Sequence, residues 1–261
     1  MQKVVLITFD TEEFDILNGK LAFDVSRQGL INVIRLLDKH NIKATFFVTG
    51  VFAENNKQLI KKISKKHEIA SHGYSHNYDY NKMDEKTTYN NLLKTNKILE
   101  KITNKKVIGY RSPRFSKTNI NVLKKLNFKY NSSINPTFIP RRYNYLLHTR
   151  KIKSNNGMII IPMSVSPVLR LPLFWFAFKN LGLNYAKIIT KACLLDTNFV
   201  HLVFHPWEFV NLSKYKIPFI YKPNSGEKLI KKLDNYIIWC KRNNMKFDTI
   251  QNYLMKEGYL K

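Results

Sequence analysis

The feature that most constrains this chain is an alternation of two patterns. Short β-branched or aromatic runs take turns with longer stretches of helical spacing. VVLITF at 4–9, ATFFV at 44–48, EIAS at 68–71, residues 107–110, residues 158–163 and FVHLVF at 199–204 read as strands. Residues 29–39, 56–66, 84–101, 117–126 and 227–243 carry apolar side chains at helical spacing, and Ser116 stands where the fourth of these expects an N-cap. Strands separated by helices predict parallel pairing through crossovers, hence an α/β fold. The polar stretch 151–157 reads as a loop, and with no repeat or low-complexity linker the chain reads as one domain over 1–261.

Parallel α/β folds place their chemistry at the C-terminal ends of strands. Four strand-like runs end in reactive groups: Asp10-Thr11-Glu12-Glu13, His72 through His76, Arg111-Ser112-Pro113-Arg114, and His205-Pro206-Trp207. His72 and His76 are four apart, so one helical turn would put both imidazoles on one face, able to grip one ion. Taken alone such a spacing is a weak signal, and a pair of solvated or core histidines is the commoner case. Asp10 or Glu12 would complete a two-histidine, one-carboxylate site. Residues two apart in an extended segment point the same way, so these two acids can divide the labour between metal and proton. His205 reads as a general acid for a leaving amine, or as a core histidine beside Trp207. Arg111 reads as a surface charge, or as the group that orients one carboxylate.

Lys and Arg number 44 against 18 Asp and Glu, a formal net charge of +26. This balance fits anionic surroundings. The joint abundance of Lys, Asn and Ile also fits codon bias, to which we assign the larger share. No zinc-finger, RNP or helix-turn-helix pattern supports specific nucleic-acid binding. Cys193 and Cys240 are far apart and read as packed thiols of a reducing compartment. The N-terminal MQKVVLITFDTEEFD lacks a signal-peptide pattern, and LPLFWFAF at 171–178 is too short to span a bilayer, so a cytoplasmic protein is expected. Residues 168–191 interleave Leu, Phe and Trp with Arg and Lys. They read first as a barrel helix with its apolar side inward, and second as a contact with an anionic membrane face.

TFDTEEFD, SHGYSHNY, GYRSPRFS and VFHPWEF, in that order, resemble the polysaccharide deacetylases of the NodB-homology class. The resemblance runs from about Val4 to Trp207. It implies a distorted (β/α) barrel, usually of seven strands, with a divalent metal, most often Zn2+. It also implies hydrolysis of an N-acetyl group from a sugar. By the same resemblance Asp10 is the catalytic base, and Glu12, His72 and His76 hold the metal. Arg111 orients the base, the Arg114 backbone N–H meets the oxyanion, and His205 is the general acid. Two departures stand out. Thr11 occupies the place where many members carry the metal carboxylate, and Asn131 stands where an Asp that tunes the acid histidine is expected. Either another carboxylate serves His205 or it is a less basic acid. Tyr74, Trp207 and Arg170 are candidates for touching substrate, with Arg141 and Arg142 further candidates for a phosphate-bearing, nucleotide- or lipid-linked sugar. Removal of a different acyl group such as formyl, and a non-catalytic glycan-binding role, are the remaining alternatives.

Overall fold

The computed structural model describes residues 2–140 and 143–260. Arg141 and Arg142 therefore lie outside the described residues. The strands are β1 (Val4–Thr11), β2 (Thr45–Val48), β3 (Glu68–Ser71), β4 (Gly109–Tyr110), β5 (Tyr130–Asn131), β6 (Phe138–Ile139), β7 (Tyr143–Asn144), β8 (Lys153–Asn155), β9 (Met158–Ile160), β10 (Phe199–Phe204) and β11 (Lys246–Phe247). The α-helices are α1 (Gly19–Lys39), α2 (Gly50–Asn55), α3 (Lys57–Ile63), α4 (Glu85–Thr103), α5 (Ile120–Lys125), α6 (Trp175–Cys193), α7 (Glu227–Arg242) and α8 (Ile250–Lys256).

The main sheet runs β10-β1-β2-β3-β4-β5-β9-β8, with β11 also on β1. From β10 to β9 each neighbouring pair is parallel, which gives the seven parallel strands of a distorted (β/α) barrel. β9 and β10 do not pair directly among the described residues. The segment after β9 bridges them: Ser164 N donates to His201 O at 3.1 Å, and His201 N donates to Ser164 Oγ at 2.8 Å. This seam is the distortion.

Every residue of β1 is buried, as expected of a parallel strand covered on both faces. Strand parity sorts its side chains. Val5, Ile7 and Phe9 join the outer core with Leu30, Val33 and Leu37 of α1. Val4 and Leu6 join the barrel interior with Phe47, Ala70 and Tyr130. Thr8 and Asp10 continue that inward row. In β10 the outer side chains are Val200, Leu202 and Phe204, so His201 lies on the inward row.

The barrel's N-terminal end is closed around Glu68. Its carboxylate accepts from Thr45 Oγ1 at 2.7 Å, Tyr130 OH at 2.6 Å and Gln251 N at 3.0 Å. Gly109 makes room for this plug, since a Cβ there would sit 2.1 Å from the Tyr130 hydroxyl. Burial pushes the Glu68 carboxyl above its ordinary value.

Three local expectations change. Residues 151–157 are not all loop: β8 pairs antiparallel with β9 through an Asn156-Gly157 turn, both residues at positive φ. Such a turn is a hairpin signal that polarity alone hides. The helix expected after Ser116 starts at Ile120 and is capped by Asn119, because Ser116 is drawn into a hydrogen bond with Ser112 at 2.8 Å. Residues 56–66 are helical only over α3, which follows α2 across Asn56. No helix among the described residues is long and apolar enough to cross a membrane.

One helix contact reaches the functional end of the barrel. A Cβ on Gly29 of α1 would lie 1.8 Å from the carbonyl oxygen of Pro206, just past β10. Gly29→Ala gains about 1 kcal/mol of helix propensity. The backbone clash outweighs this, since overpacking typically costs up to about 3 kcal/mol. Thermal denaturation should show a net loss of stability in Gly29→Ala; an unchanged or raised melting temperature would contradict this packing.

Candidate active site

Inward-row residues of β1, β4, β5 and β10 meet at the C-terminal mouth around Arg111, which is completely buried. All five of its N–H groups are used. Nε donates to Ser132 O at 3.1 Å; Nη1 donates to Thr8 Oγ1 at 2.9 Å and Asp10 Oδ1 at 2.5 Å. Nη2 donates to Ser132 Oγ at 3.1 Å and His201 Nε2 at 2.9 Å. The guanidinium lies 3.9 Å over the Phe47 ring. Arginine has no acceptor, so His201 Nε2 must accept and its Nδ1–H must donate, here to Pro162 O at 3.0 Å. Burial, with the Arg111 charge, holds His201 well below its ordinary value and therefore neutral. Burial alone would raise the Asp10 carboxyl. The Arg111 charge, helped by His72 and His205, reverses this and holds Asp10 below the usual carboxylate range.

Glu12 continues the inward direction beyond β1. His72 Nε2 is 3.1 Å from Glu12 Oε2, and His76 Nε2 is 3.6 Å from the same oxygen. His72 Nε2 is also 4.0 Å from Asp10 Oδ2. The far nitrogens are both fixed: His72 Nδ1 lies 2.9 Å from Arg111 O, and His76 Nδ1 lies 2.7 Å from Asp15 Oδ2. Glu13 takes no part. It accepts from Thr49 Oγ1, Ser75 Oγ and the His76 N–H, and so ties the end of β1 to the histidine loop. That loop is not helical, so the expected helical turn at 72–76 is corrected. Gly73 at φ +71° turns the chain instead, and a loop brings the two imidazoles together.

Among the described residues no group of three or more His, Cys, Asp or Glu is spaced to hold a metal ion; these donors contact one another directly. Their chemistry nevertheless fits one. Two imidazoles with anchored Nδ1 atoms offer Nε2 toward one carboxylate oxygen, the arrangement by which metal-ligating histidines are usually oriented. The 3.1 and 3.6 Å separations bracket the edge, about 3.3 Å, of a tetrahedron with legs of about 2.0–2.1 Å.

The question left open by Asn131 is answered by Glu208, three residues past His205. Glu208 Oε1 accepts from the His205 N–H at 2.8 Å and lies 2.7 Å from His205 Nδ1. Its other oxygen is buried with no hydrogen-bond partner among the described residues. Asn131 instead shapes a turn, its Oδ1 accepting from Ser133 N at 3.0 Å. Trp207 stacks on His205 at 4.7 Å and on Phe14 at 4.4 Å. His205 Nε2 points back toward Glu12 Oε1 at 3.9 Å. Burial pushes this imidazole down, but the Glu208 hydrogen bond and the charges of Glu12, Glu208 and Asp10 raise it overall.

A cleft of about 800 Å³ opens beside this cluster, with His76, Asp15 and Arg114 on its wall and Tyr78, Phe115, Tyr143, Tyr145 and Tyr221 around it. Tyr143 and Tyr145 stack at 4.8 Å. Arg114 and Phe115 both sit at positive φ, near 56° and 57°, a costly conformation for residues with side chains. The Arg114 guanidinium holds Asp15 Oδ2 at 2.9 Å.

Three expected substrate contacts fall elsewhere. Tyr74 turns toward α2 and α4, its hydroxyl between Glu54 at 3.1 Å and Lys94 at 2.6 Å. Trp207 is buried beneath His205 rather than on the cleft wall. Arg170 lies on a turn outside the cleft and donates to His148 O at 3.3 Å.

The fold and cluster define a (β/α)-barrel with carboxylates, imidazoles and a buried arginine at its mouth. The family model described as polysaccharide deacetylase matches residues 1–131, half of the chain. This chain belongs to the polysaccharide deacetylase family. It is 32% identical over 123 residues to a peptidoglycan deacetylase of Helicobacter pylori, covering 46% of this chain and 41% of that protein. It is 38% identical over 85 residues to a peptidoglycan-N-acetylglucosamine deacetylase of Bacillus cereus, covering 31% of this chain and 28% of that one. The chain thus matches less than half the length of these curated relatives. Its fold resembles Puue allantoinase, with a TM-score of 0.69 at 16% identity, covering 99% of this chain and 92% of that one. It also resembles a CE4-family pseudoenzyme of Bacillus anthracis, with a TM-score of 0.58 at 16% identity, covering 96% and 65%.

The Glu208 contact has a pH signature. A raised imidazole stabilises the fold fully below its ordinary value of 6.5, and that contribution fades as pH rises through the folded value. In Glu208→Gln the His205 titration, followed by NMR, should move to lower pH. An unmoved titration would contradict the assignment of Glu208 as its partner.

Proposed function

We propose that this chain is a divalent-metal-dependent hydrolase that removes an N-acetyl group from a sugar in a cell-surface glycan or in its nucleotide- or lipid-linked precursor. The observation that carries the proposal is the pairing of two differently prepared groups in the cluster around Glu12. Asp10 is held ionised by Arg111, and His205 is held basic by Glu208. Groups whose proton affinities are pushed apart are what acid–base hydrolysis requires.

A divalent cation, Zn2+ in this reading, held by Glu12, His72 and His76 would supply Lewis-acid polarisation of the amide and acidify water. Asp10 takes the proton of the attacking water, with Arg111 fixing its oxygen. The turn at Arg114 offers its backbone N–H to the oxygen that gains charge. His205 gives a proton to the departing nitrogen, and Glu208 stabilises the imidazolium before transfer. Asp15 fixes the His76 ring. The C–N bond breaks and water is consumed, leaving acetate and an amino sugar. Tyr143, Tyr145 and Phe115 offer flat faces for sugar rings.

In this proposal the protein works on the cytoplasmic side, where a phosphate-bearing precursor is the substrate at hand. Its test is acetate release from a panel of N-acetylated sugars, with and without chelator, beside elemental analysis of the protein. Activity should disappear with chelator and return with zinc. Asp10→Asn should keep its metal and lose about 10²–10⁴-fold in turnover, the usual share of a general base. Full turnover in that variant, or activity indifferent to chelation, would overturn the mechanism.

A further inference from the structure

Exposed apolar side chains stand on turns next to two sides of the cleft. On one, Leu147 is 100% exposed, Val168 89% and Leu169 74%. On the other, Phe219 is 78% exposed and Ile220 54%. Leu147 and the Phe219–Ile220 pair neighbour cleft-lining residues along the chain, and the Val168–Leu169 turn is tied to the first of these sides from outside the cleft. Leu147 follows Tyr145, which lines the cleft and whose hydroxyl donates to Phe115 O at 3.0 Å. The turn bearing Val168 and Leu169 is tied to that rim: Arg170 donates to His148 O at 3.3 Å, and Thr137 Oγ1 donates to Arg170 O at 2.9 Å. Phe219 and Ile220 precede Tyr221, which lines the cleft opposite. Helix α6 buries Phe178, Ala186, Ile189 and Cys193 on its packed side and leaves Leu181 59% and Ile188 64% exposed on the other. The groups at 147, 168–169 and 219–220 are the exposed apolar side chains that stand on turns near the cleft.

The segments that bear these tips are basic in sequence, although Asp196 pairs with Arg150 near the Arg170 turn and Asp15 and Asp79 line the cleft itself. Residues 101–195 contain no Asp or Glu and 18 Lys or Arg, and Leu147, Val168 and Leu169 all fall within that stretch. Residues 209–226 are likewise free of acids and carry Lys214, Lys216 and Lys222 around Phe219 and Ile220. Apolar tips that stand out from a basic surface match an anionic lipid interface, where the tips enter the acyl boundary and the cations stay among the headgroups. Two copies meeting through this face would set like charge against like charge.

We propose that the rim of the cleft is a membrane-docking face that seats the barrel mouth on an anionic bilayer. Docking stands on the rim itself. Its consequence, that the substrate is a glycan carried on a lipid, rests on the proposed deacetylase chemistry.

The test is flotation of the full chain with vesicles of phosphatidylglycerol and phosphatidylcholine, against phosphatidylcholine alone. It is paired with acetate release from a soluble N-acetylated oligosaccharide and from a lipid-anchored one. The wild type should float with the anionic vesicles at low salt and not with neutral ones. A combined Leu147→Ser, Val168→Ser, Leu169→Ser and Phe219→Ser variant should lose about tenfold or more of the bound fraction. Its melting temperature and its turnover of the soluble sugar should stay unchanged, while turnover of the lipid-anchored sugar falls. Absence of flotation at low salt overturns docking, as does a variant that floats like the wild type or a wild-type dimer that these substitutions dissociate. Flotation without turnover of either sugar by the wild type leaves docking in place and overturns the deacetylase reading instead.

Discussion

The buried guanidinium of Arg111 is the interaction on which the rest of the structure depends. A charge with no access to water persists only if its donors and its counter-charge are all met. Here the five N–H groups reach Ser132, Thr8, Asp10 and His201, and Phe47 covers the ring-like face. Those partners come from β1, the end of β5 and β10, so one side chain registers strands that are far apart in sequence. The same contacts that satisfy Arg111 leave Asp10 ionised and pointed at His72. Stability and chemistry are therefore coupled at one group. Removing Arg111 removes a counter-charge, not merely a hydrogen bond.

A second layer supports the first. Asp15 and the Arg111 carbonyl hold the outer nitrogens of His76 and His72, Glu208 holds that of His205, and Pro162 O holds that of His201. Each imidazole is thus fixed in tautomer and direction by a neighbour on its own or an adjoining strand end. The aromatic stack of Phe14, Trp207 and His205, with Gly29 of α1 close against the Pro206 backbone, sets the height of His205. At the opposite end, Glu68, Thr45 and Tyr130 close the barrel and carry none of the clustered histidines.

Much of this was legible in the chain. The apolar runs at 4–9, 68–71 and 199–204 became β1, β3 and β10, and the polar residues after them converged at one mouth. Parity in β1 also separated Asp10 and Glu12 from Thr11. The same parity argument, applied to FVHLVF, puts His201 on the row that leads to His205 and would have found it. Glu208 and Asp15 were harder. Each is a carboxylate a few residues from a motif, and only the turns at 205–209 and 73–76 decide which histidine it meets. Tyr74 was misplaced because Gly73 reverses the chain and sends that ring toward α2. The short β4 and β5 and the seam at 162–164 are held by long-range contacts, which local spacing does not report.

The most direct measurement of the central claim is a double-mutant cycle in chemical denaturation on Arg111→Met, Asp10→Asn and the pair. Stranding Asp10 in Arg111→Met should cost about 3–5 kcal/mol, and adding Asp10→Asn should recover a substantial part of it. If the two single losses simply add, the buried pair is not what holds this site, and the account built on Arg111 fails.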